Sequence, residues 1–243
     1  MKKDLKKLLN LNYLDFTNTT NKVGKYDIPG IICPEISNID YIALYKEKKD
    51  YHKTENTAIA FYQYDNEFDG IKGLSNAIRY NDIKRLNFFK ERFINCKYFI
   101  SPDYSQCGDI ENAENIHRIF MARVVSIWIT LNIGALVIPN ITYSTKKSFE
   151  YMLDGLEECQ TVAFSTKGTM KKIEEKDLLI AAIKKTVDTL NLRSIIVYSV
   201  SIDKETILDL FSYAINNNIK IIIPNNSLKK RNIERSDKQN GKI

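Results

Sequence analysis

The sequence predicts an α/β fold with a mainly parallel sheet, on three observations. Short apolar runs recur along the chain, among them "TAIAFYQYD", "KYFIS", "ALVIPN", "TVAFS", "SIIVYSV" and "KIIIPNN". These runs are continuously apolar rather than alternating, which is the pattern of strands buried on both faces of a parallel sheet. The segments between them repeat their apolar residues at helical spacing. Sequential βα units of this kind give about six to seven strands, barrel-like or open and doubly wound. The barrel-like form is preferred because every run ends in polar residues, including those that an open sheet would place at its edges.

The elements follow in order. "GIICPE" (30–35) is a candidate first strand, and Thr57–Asp65 is the first clear one. Asn76–Phe93 places Ile78, Ile83, Leu86, Phe89 and Phe93 on one helical face. The strand at 97–101 precedes a long helix over 112–132, whose stripe includes Ile119, Ile127 and Trp128 and which Gly134 stops. Trp128 belongs to the core on this reading, and His117 is an ordinary helix residue. After the strand at 135–140, a short helix opens with Thr145 or Ser144 as its cap. The strand at 161–168 and the helix at 174–191 follow; that helix is acidic at its start and basic later, as its dipole favours. A strand at 194–200, a helix at 203–218 and a strand at 220–226 complete the alternation. Three regions result: an N-terminal extension (1–56), an α/β core (57–226) and a basic, disordered tail (227–243).

Composition narrows the class. The chain has 243 residues, 44% of them hydrophobic, enough for a sizeable core. The most apolar stretch, 116–133, carries Arg118 and Arg123 and reads as a core helix rather than a membrane span. The N-terminus lacks the apolar segment of a signal peptide, so the expectation is a cytoplasmic protein with no membrane contact. Cys33, Cys96, Cys107 and Cys159 form no C-x-x-C pair and read as reduced thiols, of which Cys107 alone is a candidate for reactivity. The net charge of +6 sits at the ends: Lys2, Lys3, Lys6 and Lys7 at one, and six basic residues from Lys229 to Lys242 at the other. The body between is close to neutral, so any nucleic-acid contact is expected to be weak and to run through the basic tail.

In a parallel βα array the carboxyl ends of all strands lie on one rim, where ligands bind. "KYFISPDYS" places Asp103, Tyr104 and Ser105 at such an end. The other ends supply Asp65, Asn140, Ser165, Thr166, Lys167 and Tyr198. Asp103 is the candidate general base or metal-binding carboxylate, Asp65 a second acid, and Lys167 the group that stabilises an anion. Tyr104, Ser105, Asn140, Ser165, Thr166 and Tyr198 are candidate ligand contacts. The chain has no G-x-G-x-x-G, no P-loop, no H-E-x-x-H and no G-x-S-x-G, and neither His52 nor His117 lies at a strand end. Cofactor and metal therefore stay unassigned.

"FISPDYS", the long helix bearing Trp128, "ALVIPN", "SFEYMLDGL", "VAFSTKG" and "IIVYS" occur in the order found in one family. Over roughly Thr57–Pro224 the chain resembles the domain of unknown function 4417 family. Leu153 stands where that family usually has Phe before Asp154-Gly155. The resemblance implies a phage- or plasmid-associated protein of a mobile element and brings no established activity. The functional expectation is an enzyme or small-ligand-binding domain with a polar site centred on Asp103, taking a nucleotide-like or phosphorylated compound. The alternative is a nucleic-acid-associated accessory protein using its basic termini.

Overall fold

A computed structural model describes residues 4–169 and 172–239. Helix α1 (Leu5–Leu8) and a 3-10 stretch (Asn12–Thr19) lead into an antiparallel pair, β1 (Lys22–Val23) and β2 (Ile28–Pro29). Then come β3 (Tyr41–Leu44), β4 (Thr57–Ala60), α2 (Asp65–Phe68), α3 (Leu74–Arg79), α4 (Ile83–Arg92), β5 (Tyr98–Ile100), α5 (Asn112–Ile133) and β6 (Leu136–Ile138). The second half runs through a 3-10 turn (Lys146–Glu150), β7 (Thr161–Ser165), α6 (Ile173–Thr189), β8 (Ser194–Tyr198), α7 (Lys204–Leu210) and α8 (Ser212–Asn216). It finishes with β9 (Lys220–Ile222), β10 (Asn225–Asn226) and α9 (Ser227–Gln239).

The parallel strands form two sheets, a five-stranded one in the order β10-β3-β4-β5-β6 and a three-stranded one in the order β7-β8-β9. This corrects the expectation of six to seven strands in one sheet. The division has a local cause, because an Ile-Pro-Asn segment lies at each boundary. Proline has no N–H to give a ladder, so pairing with one neighbour lapses there. After Pro139 the chain leaves β5, and Asn140 forms a parallel bridge to Ala163 of β7, with Ala163 N–H donating to the Pro139 carbonyl (2.8 Å). After Pro224 it leaves β8, and Asn225 N–H donates to Asp40 O (3.0 Å) as β10 joins β3.

Each face of the larger sheet has its own core. On one, Ala43, Ile59, Phe61, Phe99 and Val137 pack under α3, α4 and α5 against Phe89, Phe93 and Trp128. Phe93 and Phe99 meet edge to face with centroids 5.0 Å apart. On the other face, Ile42, Ala58, Ala60, Ile100 and Ile138 join Val162, Ile196, Leu179 and Phe211 in a second cluster. By length and composition α5 alone among the described residues would qualify as a membrane span; here residues such as Ile119, Val125 and Trp128 bury it on the sheet.

Four expectations change. The stretch at 76–93 is two helices, because Asn81 turns left-handed (φ +49°) and Asp82 caps α4 by accepting from Arg85 N–H (3.2 Å). "GIICPE", preceded by Pro29 and interrupted by Pro34, forms no strand and has a single bridge, from Cys33 to Cys159. The first strand of the sheet is instead β3, hydrogen-bonded between β10 and β4, so the sheet crosses the expected boundary at residue 56. Residues 227–239, expected to be disordered, form α9: Asn226 caps it by accepting from Lys229 N–H (2.9 Å), and Asn232 Nδ2 donates to Val200 O (2.7 Å). The rest of the tail, 240–243, lies outside the described residues.

Candidate functional site

The carboxyl ends of β3, β4, β5 and β7 open onto a cleft of about 510 Å³, closed on one side by α9. Lys46 follows β3, Tyr62 and Gln63 follow β4, Asp103 and Ser105 follow β5, Ser165 ends β7 and Lys167 follows it; Leu228 and Arg231 come from α9. A slightly larger cavity of about 590 Å³ lies elsewhere, walled by residues such as Ile31, Ile127 and Leu131. None of the candidate residues lines it, so the smaller, polar cleft is the site that the chemistry favours.

Asp103 is placed by its loop. Ser101 Oγ accepts from Asn140 N–H (2.8 Å), joining the ends of β5 and β6. Beyond Asp103, the buried Asn115 of α5 accepts from Cys107 N–H (3.1 Å) and donates to Cys107 O (2.7 Å), which fixes the return of the chain. A relay then holds the carboxylate: Tyr62 Oη donates to Asn140 Oδ1 (2.8 Å), and Asn140 Nδ2 donates to Asp103 Oδ1 (2.7 Å). The Tyr62 ring stacks on Tyr198 at 4.6 Å, so the relay rests on an aromatic floor.

Burial pushes the Asp103 carboxyl from its ordinary 3.8 up to about 7, and the nearby Asp65 carboxylate adds to the rise. The Asn140 hydrogen bond and the Lys167 charge oppose it without cancelling it. Burial likewise keeps the Tyr62 and Tyr143 hydroxyls protonated, with the Asp103 charge reinforcing both shifts. One carboxyl group titrating near neutrality therefore stands among phenols that stay neutral.

The other expected residues divide into three sets. Ser105, Ser165 and Lys167 line the cleft with Asp103. Asn140 and Asp65 hold that lining in place. Asp65 accepts from Arg118 Nη1 (2.6 Å) and from the backbone N–H and hydroxyl of Ser105 (both 3.1 Å), which ties the Ser105 end of the lining to α5. Tyr104, Thr166 and Tyr198 do not line the cleft. The Tyr104 hydroxyl donates to Asp69, Thr166 is buried with its N–H donating to Tyr198 O (3.0 Å), and Tyr198 lies fully buried beneath Tyr62. Reading the sequence missed Tyr62, Gln63, Lys46, Glu67 and Arg231. Lys46 follows a strand that was not recognised, and Arg231 lies in the segment taken for a loose tail.

Among the described residues, no group of three His, Cys, Asp or Glu side chains is arranged to hold a metal ion. The fragments that suggested a family can now be placed: "SPDYS" and "VAFSTKG" border the cleft and "VIPN" supplies its relay. A model of the domain of unknown function DUF4417 matches residues 20–214. The chain belongs to the DUF4417 family. The match begins well before residue 57 and so takes in β3, in keeping with the place of that strand between β10 and β4. It stops before α9, so Arg231 lies outside the matched region of this DUF4417 protein. A search of curated proteins returned no match.

Asp154-Gly155, a further fragment of the resemblance, serves the fold. Gly155 has φ +78°, and a Cβ there would stand 2.7 Å from the Pro29 carbonyl oxygen. Its own carbonyl accepts from Ile31 N–H (2.9 Å), so this glycine docks the β1–β2 segment closely against the core.

Proposed function

We propose that this DUF4417 protein is a small-molecule enzyme or binding domain in which Asp103 exchanges a proton with a ligand seated in the cleft. One observation carries the reading: a carboxyl group with pKa about 7 lines an open cleft and is held by a neutral relay from Tyr62 through Asn140. A group that titrates near the working pH is present in both forms and can serve as acid or base. Asn140 can donate to the carboxylate and can still face the neutral acid, so the relay tolerates both states.

The fold reading that goes with it is a closed ring of parallel strands with the cleft at its carboxyl-end rim. The Asn140–Ala163 bridge and the shared β9–β10 segment support that closure at the two boundaries. Ligand sites on such rings gather on this rim.

The test is a thermal-shift screen of nucleotides, sugar phosphates and polar metabolites, repeated on Asp103→Asn and on a control, Glu174→Gln. Ligands that stabilise the parent and the control, and whose effect is lost or loses its pH dependence between pH 6 and 8 in Asp103→Asn, are expected. An effect identical in all three proteins would place the ligand away from Asp103 and end this reading.

A further inference from the structure

Three cations from distant parts of the chain line one cleft: Lys46 after β3, Lys167 after β7 and Arg231 on α9. Against them the lining holds Glu67 and the near-neutral Asp103. Glu67 is partly committed, since it accepts from Gln63 Nε2 (2.6 Å) and pairs with Lys46 at 3.5 Å. Among the described residues, Lys167 Nζ hydrogen-bonds only to the Tyr62 carbonyl, at 3.5 Å, and the Arg231 side chain makes no hydrogen bond or ion pair. The positive excess is local, because the body of the chain is close to neutral.

Arg231 is exposed to solvent, but its backbone is fixed. Its helix is anchored at the start by Ser227 to Glu47 and by Asn226 Nδ2 to Ser199 O (2.8 Å). Asn232 to Val200 O (2.7 Å) holds the next turn. Leu228 and Arg231, three residues apart, share the helix face that borders the cleft. Gly168 turns with φ +94°, and no atom of the described residues stands within 4 Å of where its Cβ would be, leaving the "STKG" loop room for a ligand.

We propose that the cleft binds the phosphoryl group of a small phosphate monoester through Lys46, Lys167 and Arg231, and that α9 is a wall of the site. This rests on the reading of the cleft as a small-molecule site. A guanidinium fork and two ammonium groups suit the three terminal oxygens and double charge of a phosphoryl group. Even with Asp103 ionised, two carboxylates against three cations leave part of the positive charge unmatched. The basic C-terminal segment then serves a small anion within its own chain rather than a nucleic-acid backbone.

Inorganic phosphate is the probe, with calorimetry and melting curves at pH 7.5 and chloride or acetate at matched ionic strength as comparisons. Phosphate is expected to bind and to raise the melting temperature of the full chain. Arg231→Gln and Lys46→Gln should each weaken binding roughly tenfold or more, the loss expected for a hydrogen bond to a charged group. Lys230→Gln, on the same helix but exposed outside the cleft lining, should leave binding unchanged. Equal weakening by all three variants, acetate binding as well as phosphate does, or no phosphate binding at all would each overturn the proposal. Carbon-13 NMR of the Asp103 carboxyl separates the two readings. Titration near 7 without phosphate binding sinks the phosphoryl site alone. Phosphate binding with Asp103 titrating like a surface carboxylate sinks the proton-exchange reading alone.

Discussion

Replacing Asp103 with Asn should change the stability of the protein in a way that depends on pH, and the sign follows from the direction of the pKa shift. The fold raises the Asp103 pKa from 3.8 to about 7, so the folded state keeps a proton that the unfolded chain gives up earlier. Between these values the folded state binds more protons, and stability falls as pH rises. At about 1.4 kcal/mol per tenfold change in proton affinity, the cost of holding the ionised carboxyl in the fold reaches about 4 kcal/mol above pH 7. Asn is uncharged at every pH and keeps an oxygen to accept from Asn140 Nδ2, so it escapes that cost. In urea denaturation the variant should therefore lead the parent by only about 1 kcal/mol at pH 4.5, where the unfolded carboxyl has begun to ionise, and by about 4 kcal/mol at pH 8. For a chain of this size the advantage corresponds to a melting temperature higher by roughly 8–16 °C, treating about 4 kcal/mol as the upper end. Subtracting the two proteins cancels the titration of every group that is not coupled to Asp103. A difference that stays constant from pH 4.5 to 8, or an Asn variant weaker at both, would refute the account of Asp103 as a carboxyl kept near neutral by burial.

Three further outcomes are expected. Tyr62→Phe deletes the donor to Asn140 Oδ1 inside the core, so urea denaturation should show a loss of about 1–3 kcal/mol, and the NMR-detected Asp103 titration should move as the relay loosens. Gly155→Ala forces a left-handed residue and a Cβ 2.7 Å from the Pro29 oxygen, so it should cost roughly 1–3 kcal/mol; an unchanged melting curve would contradict the close docking of the β1–β2 segment. In native protein a disulfide-exchange dye should titrate Cys107 alone. Cys33, Cys96 and Cys159 are buried, and burial raises the pKa of each, to about 11 for Cys96 and Cys159; all four should react in urea, and fast native reaction of more than one would contradict that burial.

The strand ends were legible in the sequence because a continuous apolar run followed by "SPD" or "STK" reports both burial and its limit. That logic found Asp103, Ser105, Ser165 and Lys167. It failed for Tyr104, whose neighbours in the loop face the cleft while its own hydroxyl turns toward Asp69; side-chain direction after a strand end depends on loop dihedrals that composition does not encode. It failed for β3 because "YIAL" is four residues long between polar segments, and its strand state comes from the neighbours β4 and β10. Arg231 was hidden for a related reason. The composition of 227–239 is that of a solvated end, and what docks it is a set of hydrogen bonds to Glu47, Ser199 and Val200, residues remote in sequence.

Asn140 holds several posts at once. Its N–H binds Ser101, its side chain spans Tyr62 and Asp103, and its backbone carries the bridge to β7 next to Pro139. The junction between the two sheets and the orientation of the acid therefore share a single residue. A mutational path that retunes the acid by altering residue 140 also disturbs the joint, and one that reinforces the joint there disturbs the acid. Lys46, Lys167 and Arg231, by contrast, border the cleft without any part in that joint, so substitutions there leave it intact.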